Sequence, residues 1–148
     1  MDPKDSSSPE ELIQELNEII AGQKTNTDHE QIMTRWVIGE KIRKAIIYIT
    51  DAVKGLRIIS SLADKLQHDF GDMYDETNLR LNILFADTFP DMGFVSDLPD
   101  HVKWSHIKTI IQQEDDLKRT YLTEMCAQEK WSHEELLKHL DDKLPGEE

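Results

Sequence analysis

The sequence has few of the residues that build disulfide scaffolds, membrane spans or nucleic-acid coats. It holds one cysteine in 148 residues, which excludes an internal disulfide framework and is typical of a reducing cytoplasm. No apolar run approaches the roughly 20 residues that a membrane-spanning helix requires, and the first residues lack the apolar stretch of a secretory signal. Bases are also scarce, because 17 Lys and Arg stand against 30 Asp and Glu, a formal charge of -13. These shortages predict a soluble, acidic, cytoplasmic domain and argue against a protein that coats DNA.

The charge is unevenly distributed along the chain. Residues 1–30 hold 8 acids and 2 bases, residues 31–80 hold 7 acids and 8 bases, and residues 81–148 hold 15 acids and 7 bases. The acidic excess therefore lies at the two ends, and an anionic partner would be repelled least by the middle of the chain. The alternative interpretation is that the acids belong to solvated helix faces that keep the protein soluble.

Helical apolar spacing and capping residues recur along the whole chain and predict an all-α helical bundle. Helix starts are predicted at Ser8, Thr27, Asp75, Ser105 and Ser132, and helix ends at Gly22 and Gly71. The second helix is expected to run to about Val53 and to stop at Lys54-Gly55. Residues 90–100, which include two prolines and a glycine, are expected to form an irregular loop. Gly39 indicates either a close approach between helices or a simple weak point in the second helix.

These patterns divide the chain into three parts. Residues 1–26 are an acidic amphipathic helix and a linker, residues 27–143 are a helical domain, and residues 144–148 are a frayed tail. The first helix carries an apolar stripe that consists of Leu12, Leu16, Ile19 and Ile20. Because so short a helix is marginal in water, the stripe must dock on something. We predict a partner interface there, a homodimer included, with packing on the chain's own domain as the alternative.

No sequence motif indicates catalysis, a cofactor or a metal site. The six histidines include no pair at helical i, i+4 spacing, and Cys126 lacks a thiol partner and is expected to be a buried, inert thiol. Two acid-x-Lys triplets, at 116–118 and 141–143, fit the pattern of metal-dependent nucleases but lie in helical context, so we interpret them as solvated charges. The prediction is a protein that is not an enzyme, with no catalytic residue, no metal site and no cofactor.

A helix-turn-helix is predicted around a turn at Gly71, with the second helix starting at Asp75. Such a pair presents its second helix to a nucleic-acid groove. The predicted phosphate contacts are Lys54, Arg57 and Lys65, and the predicted base contacts are Asn78, Arg80 and Asn82. Asp75 and Glu76 lie at the same end and would repel phosphates, so a plain packing unit is the alternative.

Several stretches are similar to one protein family. They read WVIGEKI at 36–42, ISSLADKL at 59–66, TNL at 77–79, FADTFP at 85–90 and VKWSHI at 102–107, followed by KWS at 130–132. From about residue 29 to 140 the chain resembles the N-terminal domain of the YhcG family, a bacterial domain usually found ahead of a PD-(D/E)XK nuclease domain. The resemblance implies a helical, winged-helix-like module that guides a nuclease to nucleic acid or to partners. The nuclease domain is absent from this chain, so the family's cleavage activity is not expected here.

Two functions are compatible with these observations. The first is a non-catalytic nucleic-acid-targeting or regulatory module that uses residues 56–82. The second is a protein-interaction or oligomerisation module, either an acidic subunit or a competitor of full-length relatives, with no direct DNA binding. The candidate partners are therefore DNA, a nuclease or another protein, and a second copy of the chain, whereas a membrane is not expected. The resemblance favours the first function, and the acidic charge favours the second.

Overall fold

The computed structural model describes residues 9–23, 27–47, 49 and 51–141, and these contain α-helices and no strand. The helices are α1 (Pro9–Ala21), α2 (Asp28–Ile46), α3 (Ala52–Phe70), α4 (Glu76–Thr88), α5 (Met92–Ser96), α6 (Trp104–Ile111), α7 (Asp116–Glu129) and α8 (His133–Lys138). The predicted all-α class is confirmed. A winged-helix-like unit is not confirmed, since a wing is built from strands and the described residues contain none. Over the same ranges, no helix combines the length and the apolar character needed to cross a bilayer.

Three of the predicted helix starts are confirmed by their capping hydrogen bonds. The side chain of Thr27 accepts from the backbone N–H of Glu30 at 3.2 Å, and that of Asp75 accepts from Asn78 at 2.9 Å. Ser132 caps α8 in a reciprocal capping box. The predicted ends are also found, because α1 stops one residue before Gly22 and α3 stops at Gly71, which has a positive φ of 104°. The predicted cap Ser8, most of the linker and the tail 144–148 lie outside the described residues.

Other predicted boundaries are wrong. Helix α2 ends at Ile46, and α3 begins after Asp51, whose carboxylate accepts from the N–H groups of Val53 and Lys54 at 2.9 and 3.3 Å. Gly55 therefore lies in the first turn of α3 instead of ending α2, because the Asp51 cap restarts the helix before it.

The predicted loop over residues 90–100 contains the short helix α5, which is capped by Asp91. The predicted cap Ser105 already lies inside α6. The N-cap residue is Lys103, whose backbone N–H donates to Nδ1 of His106 at 2.9 Å. The side chain of His106 thus takes the role that Glu or Gln has at the third position of a capping box.

Helices α2 and α4 pack against each other more extensively than any other pair and form the centre of the fold. A Cβ added to Gly39 of α2 would lie 1.8 Å from the backbone carbonyl oxygen of Asn82 on α4. The close approach predicted at Gly39 is therefore confirmed, and only glycine permits it.

Two hydrophobic clusters lie along this central pair. One joins Ile32 and Trp36 of α2 and Phe85 of α4 to helices α6, α7 and α8. The other joins the second half of α2 and the start of α4 to helices α1 and α3. All three tryptophans lie in or beside the first cluster, as expected from the sequence.

Candidate functional site

A groove of about 400 Å³ runs between α1 and α3 and is the main candidate site. Along α3, residues spaced three or four apart share one helix face and line the groove. They are Lys54, Arg57, Ile58, Ser61, Leu62 and Lys65, and α1 contributes Glu10 and Ile13. The structure therefore brings the three predicted phosphate contacts into one place, around a largely apolar floor.

Three cations, Lys54, Arg57 and Lys65, line this groove. Within the described residues, Lys54, Arg57 and Lys65 make no salt bridge within 4.0 Å, and all three side chains are exposed. Some bases elsewhere are paired, for example Lys41 of α2 with Glu15 of α1 at 3.0 Å. In a chain of net charge -13, the groove thus gathers three cations without salt bridges beside one acid, Glu10.

The three predicted base contacts lie on α4 but do not form a reading surface. Asn82 is 1% exposed and lies against α2, so its amide does not reach the surface. Asn78 is half-buried, and its side-chain amide donates to the capping carboxylate of Asp75 at 3.0 Å. These two asparagines were selected as base-reading residue types near a helix start, whereas the structure uses them inside the α2–α4 contact and in a helix cap.

Arg80 is exposed, but its charge is paired within its own helix. Its guanidinium donates to Glu76 at 2.6 Å, and the hydroxyl of Ser60 donates to the same carboxylate at 2.6 Å. The hydrogen bond from Ser60 and the one from Arg80 hold the pKa of Glu76 below its usual range. At neutral pH, Arg80 therefore presents an ion pair to solvent and not a free cation. Helix α4 follows α3 after a tight turn, as a helix-turn-helix requires, but it lies at the centre of the fold.

The apolar stripe of α1 packs inside the chain's own core. Leu12, Leu16 and Ile20 are 2%, 0% and 8% exposed and belong to the cluster with α2 and α3, and Ile19 packs at its edge. A partner interface through these side chains would require α1 to leave that cluster. The predicted homodimer stays a prediction. In the single chain, the stripe packs on the chain's own helices, which is the alternative that the sequence left open.

The nuclease-like triplet at 116–118 lies in the first turn of α7 and does not form a metal site. The carboxylate of Asp116 forms an ion pair with Arg119, and Leu117 is 71% exposed. Across the described ranges, no group of three or more His, Cys, Asp or Glu side chains is arranged to hold a metal ion. Most of the second triplet, at 141–143, lies outside the described residues.

One polar cluster was missed by the sequence analysis. Arg35 of α2 stacks on the ring of Trp104, 4.2 Å from its centroid, and its Nη1 donates to Asn78 and Asn82 at 3.3 and 3.2 Å. These residues lie more than 40 positions apart along the chain, so no local spacing relates them. The available signal was Arg35 itself, a base next to the core residue Trp36 on an otherwise apolar side of α2.

Comparison with known proteins identifies the family and leaves the function open. No curated protein matches the chain, and no solved structure matches it. The family model of the DUF1016 N-terminal domain, which is the YhcG N-terminal domain, matches residues 11–145. This match begins in α1 and extends past α8, so it covers nearly the whole chain and all of the helical pairs described above. The chain belongs to the DUF1016 N-terminal domain family.

Proposed function

We propose that this chain is a non-catalytic protein-interaction module, and that its α1–α3 groove docks an acidic amphipathic helix of a partner protein. The observation that carries the proposal is the placement of three unpaired cations, Lys54, Arg57 and Lys65, around an apolar floor. Phosphate backbones offer charge but no apolar face, whereas an amphipathic helix offers both.

The lining of the groove combines the apolar and charged side chains that helix-in-groove recognition uses. Ile13, Ile58 and Leu62 would receive apolar side chains spaced three or four residues apart on the partner helix. The cations at the rim would face its acidic positions. Each such exposed ion pair contributes only about 0.2–1 kcal/mol, so the rim selects the partner and the floor supplies most of the affinity.

Charge complementarity favours an acidic occupant over a basic one. The chain as a whole is acidic, whereas three cations and a single acid, Glu10, line this groove, so the groove suits an acidic helix better than a basic one. Exposed apolar side chains near the start of α3 support a protein partner, since Ile47, Val53 and Leu56 are 55%, 56% and 45% exposed.

A second candidate function is weak nucleic-acid binding through the same three cations. The specific observation in its favour is that the three bases predicted to contact phosphates line one groove and lack acidic partners. About three neutralised phosphates would give a shallow salt dependence, a slope of about -3 for duplex DNA. With Asn82 buried and Arg80 paired, the contact would carry little sequence preference.

A direct binding experiment separates these functions. The probes are a labelled acidic helical peptide of about five turns with leucines at i, i+3, i+4 and i+7, the same peptide with alanine in place of leucine, and a short DNA duplex. Fluorescence anisotropy is measured with the wild type and with the double variant Arg57→Glu, Lys65→Glu. The matched control is Lys108→Glu, Lys138→Glu, which changes the net charge equally at exposed positions outside the groove.

The protein-interaction proposal expects the leucine peptide to bind the wild type and the control, and to bind the groove variant about tenfold more weakly. The alanine peptide should bind weakly to all three. If the duplex binds the wild type but not the groove variant, and neither peptide binds, the groove is a nucleic-acid site and the protein-interaction proposal is wrong. Failure of all probes at low salt would refute both functions.

A further inference from the structure

A second site lies on the other side of α2, around Arg35. The guanidinium is half-buried, and its plane is held by stacking on Trp104 and by the two hydrogen bonds from Nη1 to Asn78 and Asn82. No carboxylate of the described residues lies within 4.0 Å of it. A charged group withdrawn from water is ordinarily paired, so this lone guanidinium requires an explanation.

Asn82 supplies a second unexplained polar group at the same place. The residue is 1% exposed, and its Oδ1 is occupied by Arg35, but its buried Nδ2 has no hydrogen-bond partner. Buried amide groups without partners are rare and costly. Two kinds of donor, a guanidinium and a primary amide, are therefore left incompletely satisfied side by side.

A small cavity touches both groups. Its volume is about 10 Å³, and its lining includes Arg35 and Asn82 together with Thr34, Tyr74 and Met73. That space holds a single oxygen atom, so the rest of a bound anion must lie outside it, and a planar carboxylate brings less bulk to the opening than a tetrahedral phosphate does. Met73, one of the lining residues, is 42% exposed, so one wall of the cavity borders the surface.

We propose that this cavity is a carboxylate site, in which one oxygen of a carboxylate accepts from Asn82 Nδ2 and from the guanidinium of Arg35. Guanidinium–carboxylate pairing is a strong charge-assisted interaction with matching planar geometry. Burial lowers the pKa of Arg35 by disfavouring its charge, and a bound anion would oppose that effect. The carboxylate can come from a free small acid or from an acidic side chain of a partner, and both sources present the same group.

The test uses the whole chain and two probes, formate and a glutamate residue blocked at both ends. Proton–nitrogen NMR spectra are recorded at constant pH and ionic strength as each probe replaces chloride. Formate should shift the Asn82 side-chain amide pair and the Trp104 indole resonance in a saturable way. Phosphate at equal ionic strength should leave both unshifted. A matching shift with the blocked glutamate assigns the site to a partner side chain, and its absence assigns it to free small acids.

Three variants make the proposal falsifiable. Arg35→Gln should abolish the formate-dependent shift of Trp104, whereas Lys108→Gln, an equal charge loss on the exposed face of α6, should retain it. Asn82→Asp places a carboxylate beside Arg35, so this variant should fold and should no longer respond to formate. If Arg35→Gln fails to fold, the response of Asn82→Asp to formate tests the proposal in its place. An unshifted wild-type spectrum, equal shifts with phosphate, or a retained response in Asn82→Asp would each overturn the carboxylate site.

Discussion

His106 donates its Nε2–H to the backbone carbonyl of Trp131 across 2.7 Å. The bond joins two segments of the same sequence, Trp-Ser-His at 104–106 and at 131–133. The same ring accepts at Nδ1 from the backbone N–H of Lys103, which requires the neutral Nε2–H tautomer. The hydroxyl of Thr109 lies 2.9 Å from Nε2 of His133, so the second segment is also held by α6. The recurring residues thus form one contact between the start of α6 and the start of α8.

This contact predicts a loss of stability in mild acid. Burial lowers the pKa of His106 and outweighs its hydrogen bond to Trp131, and the nearby His133 and His101 lower it further. Because the folded pKa lies below the unfolded value of about 6.5, the unfolded state binds the proton more readily. The contribution is therefore complete above about pH 6.5 and is lost as the pH falls below it.

The measurement is the free energy of unfolding in urea at about pH 7.5 and 5.5, for the wild type and for His106→Gln. The wild type should lose more stability on acidification than the variant does. His68→Gln, an exposed position on α3, should follow the wild type. Parallel pH dependences of the wild type and His106→Gln would show that this imidazole is not responsible.

Two glycine substitutions should have opposite effects. Gly39→Ala places a Cβ 1.8 Å from the carbonyl oxygen of Asn82, so α2 and α4 must separate. We expect a loss of about 3 kcal/mol or failure to fold. Gly55→Ala meets nothing within 4 Å in the first turn of α3 and should stabilise the protein by about 0.5–1 kcal/mol. Thermal denaturation followed by circular dichroism measures both, and equal effects would contradict the close helix crossing.

Removing the indole N–H of Trp36 should be costly. This group donates to the backbone carbonyl of Phe89 at 2.8 Å, which ties α2 to the end of α4. Trp36→Phe leaves that carbonyl unpaired and should cost about 1–3 kcal/mol, and Trp36→Ala about 3–5 kcal/mol. Leu117→Ala, at a position that is 71% exposed, should change the free energy of unfolding by less than about 0.5 kcal/mol. A Trp36→Phe variant as stable as the wild type would exclude a contribution from this hydrogen bond.

Charges introduced into the stripe of α1 should unfold the domain and not merely separate subunits. Leu16 is fully buried and Ile20 is 8% exposed, so Leu16→Asp with Ile20→Asp places two carboxylates in the core. Circular dichroism should show lost helix, and light scattering should show no folded monomer released from a dimer. A wild-type dimer that becomes a folded monomer would instead support the interface predicted from the sequence.

Cys126 should be unreactive in the folded protein. Its thiol is 1% exposed, and burial raises its pKa to about 11, so the thiolate is scarce at neutral pH. Alkylation by iodoacetamide at pH 8 should be slow in buffer and fast in denaturant. Rapid alkylation without denaturant would contradict the buried position.

Helix starts were predictable because a cap is a local signal. Thr27, Asp75 and Ser132 each precede the N–H groups that they accept from, within three residues. The boundary between α2 and α3 was missed because apolar residues continue at helical spacing through the break, and Asp51 alone marks the restart. Local capping outweighed the apolar pattern at that point.

Of the two candidate sites, the sequence predicts the cations of the groove but not the cluster around Arg35. Lys54, Arg57 and Lys65 share one face of a single helix, so their proximity follows from sequence spacing. The pairing of Arg35 with Asn82 depends on how closely two distant helices cross, which no spacing within either helix specifies. The side chain of Asn82 is of a type that reads bases, but the residue is buried between α4 and α2, so it contacts Arg35 and not a nucleic acid.

The crossing of Gly39 and Asn82 also bears on the order in which the chain is made. Helix α2 buries its faces mainly against α4, whose last residue is Thr88. During synthesis, α2 therefore has only its smaller contacts with α1 and α3 until α4 has left the ribosome. Because contacts this distant in sequence close slowly, α2 and α4 should meet in the folding transition state, with α1 docking afterwards. A nascent chain that ends before α4 should remain exposed to proteases and chaperones, whereas one that includes it can begin to fold.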